Sequence, residues 1–198
     1  MQIYLNPSIA KLYTDLYEWD STGMWLLTEY VQPFRTGEEF AKAIGVTEYS
    51  VFSDIIYDFE EYKEKDLQSL GKKYATLLNT QEEKYKAALK ELNQKYELEI
   101  DPRKKYELER DMLLLERDYN RDKKYINTKI ENLNSVSKDE VARNFITRIF
   151  SLMQRGLLAG DIDWKHFGRV ANGEIKLYDY GFSKKVFDKH YRRRSIKV

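Results

Sequence analysis

The sequence predicts an α+β protein, in which a small globular unit of short β-hairpins and helices carries a long antiparallel helical coiled-coil hairpin as an insertion. Three observations carry that expectation. Short apolar runs bounded by turn residues mark both ends of the chain. Apolar and aromatic residues recur at spacings of three and four through the middle. An Asp-Pro step, Asp101-Pro102, then splits that middle into two arms. A chain of 198 residues is long enough for one ordinary domain plus such an extended element.

Composition agrees. Charged residues make up 34% of the chain, above the roughly one quarter usual in globular domains. The excess points to a long solvated helical surface. A formal net charge of +1 gives no global attraction to nucleic acid or membrane. The absence of cysteine excludes disulfides, thiolate catalysis and Cys-based zinc sites. No apolar run approaches the roughly 18 residues of a membrane span, and the first twenty residues lack the basic-then-apolar pattern of a signal peptide. The expectation is a soluble protein with no membrane contact.

Residues 1–54 open the globular unit. "IAKLY" and "MWLLTEYV" read as strands, with "DSTG" between them as the turn of a hairpin. "TGEEFAKAIGV" reads as a short helix that Thr36 caps, with Glu39 placed for a capping box and Gly45 at its end.

Residues 55–134 form the expected insertion. Leu67, Leu70, Tyr74, Leu77, Gln81, Tyr85, Ala88, Leu92 and Tyr96 make one heptad seam with Lys and Glu on its flanks. Asp101 caps a second helix with Pro102 at its first position. Its seam runs through Leu108, Met112, Leu115, Tyr119, Ile126, Ile130 and Leu133. Arms of about 33 to 40 residues at ~1.5 Å per residue reach roughly 50 to 60 Å. Such a hairpin suits docking of a protein partner or packing against copies of itself; a plain pair of surface helices is the alternative.

Residues 135–198 return to the globular unit. "SKDE", Ser137 to Glu140, reads as a capping box, and the helix behind it sets Val141, Phe145, Ile149, Leu152 and Met153 on one face. Asn172-Gly173 is a two-residue hairpin signal between "GRV" and "IKLYDYGF". The last fifteen residues carry seven basic side chains against Asp188. Arg192, Arg193, Arg194 and Lys197 are the candidate contacts there for an acidic protein or a nucleic-acid backbone.

In order, "NPSIAKLY", "WLLTEYVQPF", "GEEFAKAIG", "ARNFITRIFSLMQRG", "LLAGDIDWKH" and "GEIKLYDYGFSKK" resemble the middle of the protein-kinase-like fold. The likeness is greatest to small kinase-like proteins of tailed bacteriophages. It covers about residues 6–54 and 137–187, with the helical hairpin inserted between a short and a long helix. The resemblance implies roles for particular residues. Asp161 matches the catalytic-loop aspartate that accepts or orients the substrate hydroxyl proton. Asp179, followed by Gly181, matches the carboxylate that holds magnesium against nucleotide phosphates. His166 falls where the family places the asparagine of the second metal, and imidazole is a poor magnesium ligand. Asp163 stands where protein kinases carry a lysine.

The glycine-rich loop, the phosphate-gripping strand lysine and its helical glutamate have no counterpart in the chain. Phosphoryl transfer depends on the positioning and charge neutralisation those parts supply. The expectation is therefore a reduced, pseudokinase-like, non-catalytic interaction or structural protein. The likeness implies a phage protein, in the host cytoplasm or in the virion, and a homo-oligomer is a further expectation. No cofactor is expected, and Mg-ATP only if a residual nucleotide site survives. The alternative is a nucleotide-dependent phosphotransferase completed by another chain. Read from the residues alone, Asp161 and Asp179 serve equally as loop and turn residues.

Overall fold

The computed structural model describes residues 12, 14–19, 26–155 and 162–178. The chain divides into two compact units, one of residues 1–67 with 136–198 and one of residues 68–135.

The first unit begins with a hairpin. Strand β1 (Leu16–Trp19) pairs antiparallel with β2 (Leu26–Thr28), Leu16 opposite Thr28 and Trp19 opposite Leu26. The paired strand thus lies downstream of the expected "IAKLY", most of which falls outside the described residues. A second sheet has the order β3 (Gln32–Pro33), β4 (Phe167–Arg169), β5 (Ile175–Leu177), all antiparallel. Pro33 lacks an N–H, which an edge strand tolerates. On the other side of β5, the Leu177 N–H donates to the Leu12 carbonyl, and its carbonyl accepts from the Thr14 N–H, the pattern of parallel pairing. The β4–β5 turn has the chemistry expected of Asn172-Gly173. Gly173 takes φ +87° and its N–H donates to the Val170 carbonyl, while the Asn172 side chain accepts from the Glu174 N–H.

Three helices complete this unit. Helix α1 (Gly37–Ala43) is capped by Thr36, whose hydroxyl accepts from the Glu39 N–H at 3.1 Å. The Glu39 carboxylate reaches back to the Arg35 N–H rather than to that of Thr36. Gly45, at φ +78°, turns the chain out of the helix, where a side chain would run into the Asp139 carboxylate. Helix α2 (Tyr49–Tyr62) buries Val51, Phe52, Ile55, Ile56 and Phe59 on one stripe and ends at Lys63 in the left-handed conformation. The expected start of the insertion at 55 cuts through this stripe. No turn chemistry separates 54 from 55, so the helix continues and its core residues stay with the first unit. Helix α5 (Glu140–Gln154) is capped by Asp139, whose side chain accepts from the Ala142 N–H at 2.9 Å. Ser137 is not the cap, because the preceding helix runs through it to Lys138. The buried face is Ala142, Phe145, Ile146, Ile149, Phe150 and Leu152, and Val141, expected on that face, is exposed.

Phe40 is the centre of the core. Its ring stacks on Phe167 of β4 at 5.1 Å. It meets Phe52 of α2 edge-on at 5.1 Å, Phe34 at 5.5 Å and Phe145 of α5 at 5.9 Å. A second stacked pair, Phe59 on Phe150, joins α2 to α5 at 3.6 Å.

The second unit consists of helix α3 (Leu67–Leu98) and helix α4 (Pro102–Lys138). They run antiparallel: Tyr96 donates its hydroxyl to Glu109 at 2.8 Å, Tyr85 stacks on Tyr119 at 4.2 Å, and Gly71 packs beside Leu133. The Asp101 carboxylate accepts from the Arg103 N–H, and the Glu99 carboxylate accepts from the N–H groups of Ile100 and Asp101, closing the turn. Leu70, Tyr74, Ile126 and Leu133 are buried; the rest of the expected seam is half-buried. Along α3 the tyrosines recur every eleven residues, at 74, 85 and 96, rather than every seven. Eleven residues make three turns of about 3.67, a period that does not impose left-handed supercoiling.

Phe40→Ala should cost about 3 to 5 kcal/mol, the range for deleting a buried aromatic ring. Urea unfolding followed by intrinsic fluorescence checks this; a loss below 1 kcal/mol would remove Phe40 from the centre of the core.

Candidate functional site

Two side-chain clusters lie around the β4–β5 hairpin. The first is built on the 3₁₀ turn Trp164–His166. Asp163 caps this turn: its Oδ1 accepts from the Lys165 N–H and from the Tyr49 hydroxyl at 3.3 Å, and the Lys165 Nζ stands 3.9 Å from its Oδ2. His166 closes the reciprocal half, its Nδ1 accepting from the Asp163 N–H at 3.2 Å. Imidazole here occupies the place of the glutamate in an ordinary capping box. Tyr49 can reach Asp163 because Gly37 has no side chain; a Cβ there would lie 2.7 Å from the Tyr49 ring. Burial, with the Asp163 charge beside it, holds the Tyr49 hydroxyl above its ordinary pKa. Tyr178 completes the cluster, its N–H donating to the His166 carbonyl and its hydroxyl to that of Lys165.

The second cluster centres on Lys176 of β5, whose side chain is only 7% exposed. Its Nζ sits 2.6 Å from Glu29 Oε2 and 3.4 Å from Asp15 Oδ2. Glu29 and Asp15 lie at the open end of the β1–β2 hairpin, where the Glu29 N–H also donates to the Asp15 carbonyl. The hydrogen bond from Lys176 draws the Glu29 carboxyl below its ordinary pKa against the opposing effect of burial. Burial pulls the Lys176 ammonium down, but the Glu29 hydrogen bond and the charges of Asp15 and Glu29 outweigh it and leave it raised.

Of the residues expected to form a site, His166 alone is described. One of its nitrogens is committed to the Asp163 N–H, so a metal could not use Nδ1 without breaking the cap. Among the described residues no group of three His, Asp or Glu side chains is placed to hold a metal ion. Asp161, Asp179, Gly181, Arg192, Arg193, Arg194 and Lys197 lie outside the described residues. The neighbours of the two aspartates, Ile162 and Tyr178, are ordered by the elements just described: Ile162 is buried and Tyr178 is tied to His166. Among the described residues no helix is long and apolar enough to cross a membrane.

The Lys176 cluster was not anticipated from sequence. Its signal was present: a lysine inside the apolar strand "IKLY" implies a buried partner, since an unpaired buried ammonium is costly. The partners, 147 and 161 positions away, are set by the fold alone. Chemically, both clusters are fully engaged hydrogen-bonding sets that fix loops in place. No protein-family model matches the chain, and no curated protein or solved structure is detectably similar to it.

The two partners of Lys176 are not equivalent to it. Glu29→Ala leaves the buried ammonium with only the exposed Asp15 carboxylate, at 3.4 Å, and should cost about 2 kcal/mol. Lys176→Met leaves carboxylates that water already reaches and should cost about 1 kcal/mol. Glu29, lowered in the fold, contributes stability above its ordinary value of 4.5 and loses it as the pH falls through its lower folded value. Lys176, raised, contributes fully below its ordinary 10.5 and loses it as the pH climbs through its higher folded value. The melting-temperature gap between the native chain and Glu29→Gln should therefore be widest between those limits and close at acid pH. A gap that persists in acid would show that the ion pair is not its source.

Proposed function

We propose that this chain is a non-catalytic interaction protein, in which a reduced kinase-like unit serves as the base and the helical pair serves as a coiled-coil arm for a protein partner. One observation carries this reading. Toward the α3–α4 turn the arm exposes large apolar side chains that its own seam does not use: Leu98 at 83%, Ile100 at 91%, Tyr106 at 69% and Leu113 at 67%. Scattered apolar residues on a surface need no explanation, but a group at one end of a long helical pair is the usual mark of a docking surface.

The kinase-like part of the reading is supported by element order. A hairpin and the segment after it lead into the short helix α1; α2 and the α3–α4 pair intervene, and then follow α5, a capped turn after Asp161, and the β4–β5 hairpin ahead of Asp179. That is the order of the segments whose sequences resemble the family. The use of Asp163 as a turn cap, bonded to Tyr49 and Lys165, supports a non-catalytic role for this loop. A carboxylate so engaged is placed for structure.

Isothermal titration of the full chain with Mg-ATP tests the proposal. No binding is expected. Binding that Asp179→Asn abolishes would overturn it in favour of a phosphotransferase completed by another chain. A second test excises residues 68–135 and joins the ends with a flexible linker. The remaining unit should melt cooperatively, since the aromatic core lies wholly within it; a product that does not fold would make the arm part of the core instead.

A further inference from the structure

We infer that Tyr85 and Tyr119 form a site of oxidative modification, at which a one-electron oxidant joins the two rings as dityrosine and locks α3 to α4. The inference goes beyond the reading of the helical unit as an arm and does not depend on it.

The basis is one ring contact and the composition around it. The two phenol rings lie 4.2 Å apart between centroids, with their planes 10° from parallel. Offset-stacked rings at that separation are in van der Waals contact, so the carbons that must bond are already neighbours. Each ring projects from the interior of a long helix, and both residues are half-buried. The helices hold the pair in register, and partial exposure leaves it within reach of a small oxidant. Tyr106 and Tyr125 are more open, at 69% and 59%, but among the described residues neither stacks on a second tyrosine. Competing donors are scarce. Residues 68–135 contain no cysteine, tryptophan or histidine, and Met112 is their one sulfur. Methionine reacts by taking up oxygen as the sulfoxide, a different product, so tyrosine is the easiest one-electron donor of this unit.

Each phenol loses one electron together with its hydroxyl proton, which gives a neutral phenoxyl radical with spin on the carbons ortho to oxygen. Two such radicals couple through a new carbon–carbon bond. The hydrogen on each joined carbon then moves to the oxygen as the ring regains aromaticity. Two electrons and two protons leave in all, and one hydrogen peroxide, acting through a peroxidase or a redox metal, takes them up as two waters. The Lys123 ammonium, 5.5 Å from the Tyr119 ring centre, disfavours a ring cation, but the radical that couples carries no charge.

Oxidation of the full chain at high dilution, with photo-excited tris(bipyridyl)ruthenium and persulfate as the one-electron oxidant, tests the site. Trypsin then releases Tyr85–Lys86 and Asp118–Arg121, and the cross-link joins these fragments at their summed mass less two hydrogens. Dityrosine fluorescence should appear, and this joined fragment should be the most abundant linked species. Tyr85→Phe and Tyr119→Phe should each remove it without loss of helical circular dichroism, since phenylalanine keeps the ring contact. Tyr106→Phe should leave it in place. The linked chain should also melt several degrees higher, because a closed loop of that length constrains the unfolded state. Absence of the joined fragment, a yield below that of links among the exposed tyrosines, an equal yield in unfolding urea, or an unchanged melting temperature would each overturn the inference. None of these results touches the non-catalytic reading, which stands or falls on the nucleotide titration.

Discussion

The first unit depends on the burial of one ring. Helix α1 has only seven residues, far fewer than a helix needs to persist in water by its own hydrogen bonds. It holds because Phe40 projects from it into contact with rings from α2, α5, β4 and the β3–α1 connection. The dependence is mutual. The β3–β4–β5 sheet has strands of two or three residues, too short to be stable as a free sheet. Phe167 anchors it, and the capped turn that begins at Asp163 enters the sheet through that residue. The position of the Tyr49–Asp163–His166 cluster thus follows from a hydrophobic contact that reaches it only through the Tyr49 ring, edge-on to Phe40 at 6.4 Å.

Lys176 solves a different problem at the other end of the same sheet. The β1–β2 hairpin is small, and an isolated hairpin is marginal in water. Leu12 and Thr14 tie its lead-in to β5 by backbone hydrogen bonds, and Lys176 adds two ionic contacts at the hairpin's open end. The arrangement is specific rather than merely sticky. A buried ion pair gains little over an apolar contact of the same size, because desolvation offsets most of the Coulomb attraction. It does penalise every alternative register that would leave the ammonium unpaired. For a strand of three residues, whose backbone hydrogen bonds alone define register weakly, that penalty is what selects one pairing.

What was legible in the sequence was local chemistry. Thr36 with Gly45, Asp101 with Pro102, and Asn172 with Gly173 mark boundaries through the conformational limits of the residues themselves, and each boundary stands where those limits place it. The two long helices were legible because apolar residues recur at spacings of three and four over some thirty residues in each. The errors fell where a local signal had a rival nearby. Ser137 and Asp139 both have cap chemistry, and the preceding helix extends past the first. The boundary at 55 was misplaced because a helix stripe of the core and the start of the arm read alike in periodicity. The Lys176 cluster was invisible for another reason: its partners are brought together only by the sheet. Of the candidate site, the frame that holds Ile162 and Tyr178 is the part that can be compared with the reading, and there His166 turned out to be a capping residue.

The eleven-residue repeat explains why the two units follow different design rules. The base is built from aromatic contacts that are each distinct, so its sequence carries no period and a change at one ring is felt by its neighbours. The helical pair instead repeats a tyrosine every eleven residues along α3, at 74, 85 and 96, on the face toward α4. Tyrosine suits the inner column because its ring packs while its hydroxyl reaches a polar partner, as Tyr96 does with Glu109.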